Sequence, residues 1–140
     1  MRVFRSLVPP LLFCIIAGCS SSTTPSSQNA PPPTPSANDI GITLGARTKT
    51  TTAFTPNPKT VALGGGASVS VRWINQDISG GDYTTGTAVS HQIMSDNGAF
   101  ATSSVLGGNA TYSISLTAAG SYPYHCNIHP NMVGTITVNP

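Results

Sequence analysis

The stretch GSYPYHCNIHPNMVGTITV, residues 120–138, reads as a strand, a tight loop and a second strand, and its reading decides the fold. In the second strand Ile136 and Val138 alternate with Thr135 and Thr137. That period of two places successive side chains on opposite faces of a sheet. The same alternation recurs upstream. Val69, Val71 and Trp73 alternate with Ser68, Ser70 and Arg72, and Ile114 and Leu116 alternate with Ser113 and Ser115. Turn signals punctuate these runs at Gly64-Gly65-Gly66, Gly80-Gly81-Asp82, Asn97-Gly98 and Gly107-Gly108-Asn109. Thr is abundant, as pleated half-buried surfaces favour. Several short strands and turns over about 100 residues predict an all-β sandwich of two sheets. A short helical turn is expected between Phe100 and Leu106.

The loop carries the chemistry. Cys126, His129 and Met132 recur at three-residue intervals, placing a thiolate, an imidazole and a thioether together. A soft-metal site needs a fourth donor, and His91, in VSHQI, residues 89–93, is the candidate. Two imidazoles, one thiolate and a weak axial thioether are the donor set of a blue-copper electron-transfer centre. Zinc competes poorly, because a thioether is a poor zinc ligand and structural zinc favours more thiolates or histidines.

Cysteine usage points the same way. Residues 1–18 read as a signal peptide, with Arg2 and Arg5 ahead of an apolar stretch, Leu7 to Gly18, too short to span a bilayer. It ends in Ile16-Ala17-Gly18-Cys19, which resembles a bacterial lipobox, so Cys19 is the expected lipidation site and membrane anchor. Ser20 after that cysteine favours the outer membrane in a host with two membranes. Residues 19–38 are a lipidated Cys followed by an uncharged Ser/Thr/Pro-rich tether that cannot bury enough apolar surface to order itself. Residues 39–140 form one domain of 102 residues. Cys14 leaves with the signal, so Cys126 is a lone thiol outside the cytoplasm, and metal ligation accounts for it.

After removal of the leader, Arg47, Lys49, Lys59 and Arg72 balance Asp39, Asp77, Asp82 and Asp96. With no basic stripe, a nucleic-acid partner is not expected. Long-range electrostatic steering of any partner should be weak.

The domain resembles a cupredoxin, closest to the amicyanin, pseudoazurin and plastocyanin group. The resemblance rests on the loop C-x-x-H-x-x-M from Cys126 to Met132, whose spacing is that of amicyanins, and on W-x-N-x-D from Trp73 to Asp77 ahead of His91. Gly120-x-Tyr122-x-Tyr124-x-Cys126 and Gly134-x-Ile136-x-Val138 match the family's last two strands. The likeness covers roughly Phe54 to Val138. It implies a Greek-key β-sandwich with one type 1 copper per chain, held by His91, Cys126, His129 and Met132. It also implies an apolar docking patch pierced by His129, with Pro130 and Met132 beside it. Two departures stand out: a long segment, Asp77 to Ser90, and Gln92 where many members have Asn tying the two ligand-bearing loops together.

Other residues take plainer roles. His125 should face outward, opposite to Cys126. A bridge from it to a second copper would need more histidines than the three in the chain. Trp73, Tyr122 and Tyr124 are assigned to core packing rather than electron relay, and Phe54 and Phe100 to the core. The expected function is that of an exported, lipid-anchored, monomeric electron carrier in the periplasm or at the cell surface, serving membrane-bound or periplasmic redox proteins. Copper storage or delivery is the alternative, though no Met-rich or His-rich tract favours it. No catalytic residue and no enzymatic activity are expected, since neither an open coordination position nor a second copper has ligands.

Overall fold

The computed structural model describes residues 32–78 and 87–140. The leader, Cys19, most of the tether and the Gly80-Gly81-Asp82 turn lie outside the described residues. Among the described residues there are eight strands: β1 Asp39–Ile42, β2 Phe54–Thr55, β3 Lys59–Ala62, β4 Val69–Asn75, β5 Ile93–Ser95, β6 Thr111–Leu116, β7 Gly120–Cys126 and β8 Val133–Asn139. They make two four-stranded sheets, in the orders β2-β1-β4-β6 and β3-β8-β7-β5. Both sheets are mixed: β1 runs parallel to β4 and β3 parallel to β8, while the other pairs are antiparallel. This is the two-sheet, all-β sandwich that the alternation predicts.

The period-two reading holds along each core strand. Val69, Val71 and Trp73 of β4 point inward, as do Ile114 and Leu116 of β6 and Ile136 and Val138 of β8. Between the sheets lies one apolar core with Trp73 at its aromatic centre. Trp73 meets Tyr124 edge-on at 5.1 Å between ring centroids, and Phe100 and Tyr112 at 5.7 Å each. Phe54 meets Tyr124 edge-on at 4.9 Å. Such edge and offset contacts suit the ring quadrupoles. Gly134 lies against the Tyr124 ring so closely that a Cβ there would overlap it. Burial raises the Tyr124 hydroxyl well above its ordinary pKa. Among the described residues its hydroxyl meets no proton acceptor, which fits the core packing to which Tyr124 is assigned.

Two features differ from expectation. Residues 100–106 form no helical turn. Instead the Ser103 N–H donates to the Ile93 carbonyl and the Ile93 N–H to Ser103 Oγ, both at 2.9 Å, and Leu106 bridges to His91. The backbone groups of this segment find partners on the neighbouring chain, which outweighs a weak local helical preference. The helical feature among the described residues is a 3-10 turn, Ala46–Thr48. The chain is also held before Asp39: Arg72 donates to the Thr34 carbonyl at 2.7 Å, and the nearly buried Lys59 ammonium donates to the Ala37 carbonyl.

Asn75, the last residue of β4, is a fully buried amide that fastens the loops above it. Its Nδ2 donates to the carbonyls of Val89, Leu106 and Gly107 at 2.8, 2.9 and 3.1 Å, and its Oδ1 accepts from the Asp77 N–H at 3.0 Å. Replacing Asn75 by Ala should leave these groups without partners and destabilise the copper-free domain by about 3 kcal/mol. Urea unfolding should show this as a lower midpoint with an unchanged slope.

Candidate metal centre

Three elements converge at one end of the sandwich. Cys126 is the last residue of β7, paired across to Ile93 of β5. The chain then turns tightly: the Met132 N–H donates to the His129 carbonyl, and the Cys126 N–H to the Met132 carbonyl, both at 3.0 Å. This two-point closure forces the intervening residues into a compact loop that brings His129 back over the thiol. His91 enters from the other side, immediately before β5. Reciprocal backbone bonds to Leu106 at 3.1 and 2.7 Å hold it there.

The ring nitrogens face the sulfur. His91 Nδ1 lies 3.7 Å from Cys126 Sγ, and His129 Nδ1 lies 3.8 Å from it. One donor atom from each of the three residues falls within 4.8 Å of the others. Metal–sulfur and metal–nitrogen bonds of about 2.3 and 2.0 Å, opened to roughly 120°, would separate sulfur from nitrogen by about 3.7 Å. The three donors are therefore spaced so that they could hold a metal ion between them. His91 and Cys126 are fully buried, while His129 is partly exposed. Met132, the expected axial donor, is fully buried, with its backbone bonded to both Cys126 and His129. It cannot contribute to a surface patch beside His129, as its place in the sequence suggests. The exposed apolar side chain next to His129 is Ile128, followed by an exposed Pro130.

The environment favours a thiolate. Burial pushes the Cys126 thiol up, but hydrogen bonds from His91, from the Gln92 N–H at 3.5 Å and from His129 outweigh it and bring the thiol down to about 6. Burial also works against the charged form of His91, yet its bonds to Cys126 and Asp77 raise its pKa overall. The site thus holds a reactive sulfur in its ligating form near neutral pH.

Gln92 answers the departure noted in the sequence. Its Nε2 donates to the Ser103 carbonyl at 2.9 Å, and its Oε1 accepts from Asn127 Nδ2 at 2.8 Å. Its backbone carbonyl takes the Asn127 N–H at 2.8 Å. The longer amide ties the two ligand-bearing loops together. His125 faces outward as alternation requires and is hydrogen-bonded to Asp96. The ends of the long segment are fixed by an Ile78–Ala88 bridge and a Val89 N–H to Asp77 carbonyl bond at 3.0 Å.

Sequence reasoning quoted Asp77 within W-x-N-x-D but gave it no role. The structure buries it against His91, with Oδ2 3.0 Å from Nε2. A buried acid at the end of the strand leading to a ligand histidine was the available signal.

Comparison with known proteins agrees with this geometry. Residues 44–139 match the copper binding proteins of the plastocyanin/azurin family, and the chain belongs to that family. Among solved structures it is similar to a novel purple cupredoxin from Nitrosopumilus maritimus, at 25% identity and a TM-score of 0.57, covering 72% of this chain and 98% of that one. It is also similar to a variant of amicyanin in its reduced Cu(I) form at pH 4, at 23% identity and a TM-score of 0.55, covering 75% of this chain and 84% of that one. That second likeness is one of fold. None of the curated proteins compared with it matches. Family and donor set together make the cofactor a single type 1 copper.

In the copper-free protein, the ultraviolet thiolate absorbance of Cys126 should titrate with a midpoint near pH 6, lowered by its hydrogen bonds from an ordinary 9.0. Because the folded thiol releases its proton first, it stabilises the fold above the ordinary value, and that contribution is lost as pH falls through about 6. Replacing His91 by Ala should move the midpoint upward. An unchanged midpoint would show that His91 does not hold the thiolate.

Proposed function

We propose that the protein is an exported, lipid-tethered electron carrier that holds one type 1 copper between His91 Nδ1, Cys126 Sγ and His129 Nδ1, with the Met132 thioether as the weak axial donor. The observation that carries this reading is the spacing of the three donors, one atom from each lying within 4.8 Å of the others. The bound copper would supply one-electron cycling between Cu(II) and Cu(I). The chain's contribution is to hold a geometry acceptable to both states, so that little moves when the electron does. Loop closure through Met132, the Gln92–Asn127 tie and the Asp77–His91 contact all restrain donor movement. Burial of Cys126, His91 and Met132 keeps water from the sulfur and from the axial side.

Electrons would enter and leave through His129, the ligand with an edge toward solvent. Large apolar side chains are exposed on the loops around the site: Ile128 beside His129, Val105 beside the Leu106–His91 bridge, and Leu44 beside Gly45, whose N–H binds Asp77. With a balanced net charge, docking of redox partners depends on brief apolar contact. Nothing in the donor geometry calls for catalysis; the protein works as a monomeric carrier, anchored through Cys19 to the membrane facing the periplasm or cell exterior.

Adding Cu(II) should produce an intense visible copper–thiolate charge-transfer band that ascorbate bleaches reversibly. Cys126→Ser should abolish it. A protein that holds one metal without colour would overturn the carrier reading in favour of Cu(I) handling or zinc binding. Electron exchange with a partner should change little as ionic strength is raised. Replacing Ile128 by Asp should slow it by about tenfold, the loss of roughly 1.4 kcal/mol of apolar contact. Strong inhibition by salt would refute docking through the apolar face.

A further inference from the structure

Asp77 is one of only four acidic residues in the chain, and it is 1% exposed. A buried carboxylate is costly unless other groups meet its charge. Among the described residues no Lys or Arg is paired with it. Two N–H groups of the described residues meet it instead. Oδ1 accepts from Gly45 at 2.6 Å, where a left-handed φ of 70° aims the backbone at the carboxylate. Oδ2 lies 3.0 Å from Nε2 of His91.

The carboxylate has little freedom to turn away. The Asp77 N–H donates to Asn75 Oδ1, and its carbonyl accepts from the Val89 N–H, both at 3.0 Å. On the far side of the same imidazole, Nδ1 faces the Cys126 sulfur at 3.7 Å. A histidine that gives Nδ1 to a metal keeps its proton on Nε2, and here that proton points at an anion. The second imidazole differs: no carboxylate is paired with His129 among the described residues.

We propose that Asp77 is a positioning residue for the copper centre: its buried carboxylate accepts the Nε2 proton of His91, fixes the tautomer that offers Nδ1, and lowers the reduction potential. The inference rests on the copper-carrier reading above. An anionic partner makes an imidazole a stronger donor, and outer partners of this kind typically alter metal affinity ten- to a hundredfold. The stronger donor favours Cu(II) over Cu(I). The plainer alternative is a structural clip between the Gly45 turn and the end of β4. Such a clip would change stability and leave the potential alone.

The test compares the full chain with Asp77→Asn, both loaded with copper. Asn keeps the size but can accept from only one of the two N–H groups and carries no charge. Cu(II) affinity should fall by at least tenfold, with Cu(I) affinity changed less. Each tenfold differential loss raises the potential by about 59 mV. A folded, coloured Asp77→Asn protein with the wild-type potential would overturn the inference, even if its melting temperature had dropped. Should that variant not fold, the wild-type Cu(I) protein decides by NMR. A slowly exchanging proton on His91 Nε2 is expected, and its absence would overturn the assignment. A wild-type chain that takes up no copper would instead overturn the carrier reading itself.

Discussion

The metal end of this sandwich depends on a buried polar cluster at the end of β4. Asn75 and Asp77 sit where an apolar strand gives way to loops, and between them they bond to Gly45, Val89, His91, Leu106 and Gly107. Loops lack the ladder of a sheet, so their carbonyls and N–H groups need other partners when buried. One side-chain amide and one carboxylate supply them here. The cluster adds to the Leu106 bridge and the β5–β7 pairing that hold His91 near Cys126.

The site itself joins two opposing tendencies. Burial disfavours a thiolate, and this sulfur is completely buried. Hydrogen bonds from two imidazoles and from the Gln92 backbone outweigh that penalty. The sulfur is thus held ready to bind metal inside an apolar surround, where the backbone hydrogen bonds from Gln92 and His129 would tune a bound ion once both Nδ1 atoms ligate it. The two histidines share a role but differ in setting: His91 is enclosed and anchored, and His129 reaches toward solvent. That asymmetry leaves one imidazole sealed in the fold and the other with an edge at the surface.

Gln92 shows how a local departure is absorbed. The side chain is one methylene longer than the Asn common in the family, yet its amide spans from Ser103 to Asn127. It can do so because residues 100–106 are extended against Ile93 and offer a carbonyl at the needed place. The expected helical turn there would have used that carbonyl internally. The difference in secondary structure and the success of the substitution therefore have one cause.

The sequence by itself determined the strands, because a period of two in Val69 to Trp73 or Thr135 to Val138 has one physical reading. It also marked Cys126 and His129 of the closing loop as candidate donors, since a lone Cys spaced with His and Met has few other uses. Alternation further settled that His125 points away from Cys126. Only the tertiary structure could bring His91 to the sulfur, across 35 positions of chain, and show which of its nitrogens faces Cys126. It alone showed that Met132 is sealed inside rather than displayed beside His129, and that Asp77 turns inward. Burial and hydrogen-bond partners of a polar residue at a strand end depend on which loops fold over it. That information is long-range and leaves no local pattern in the chain.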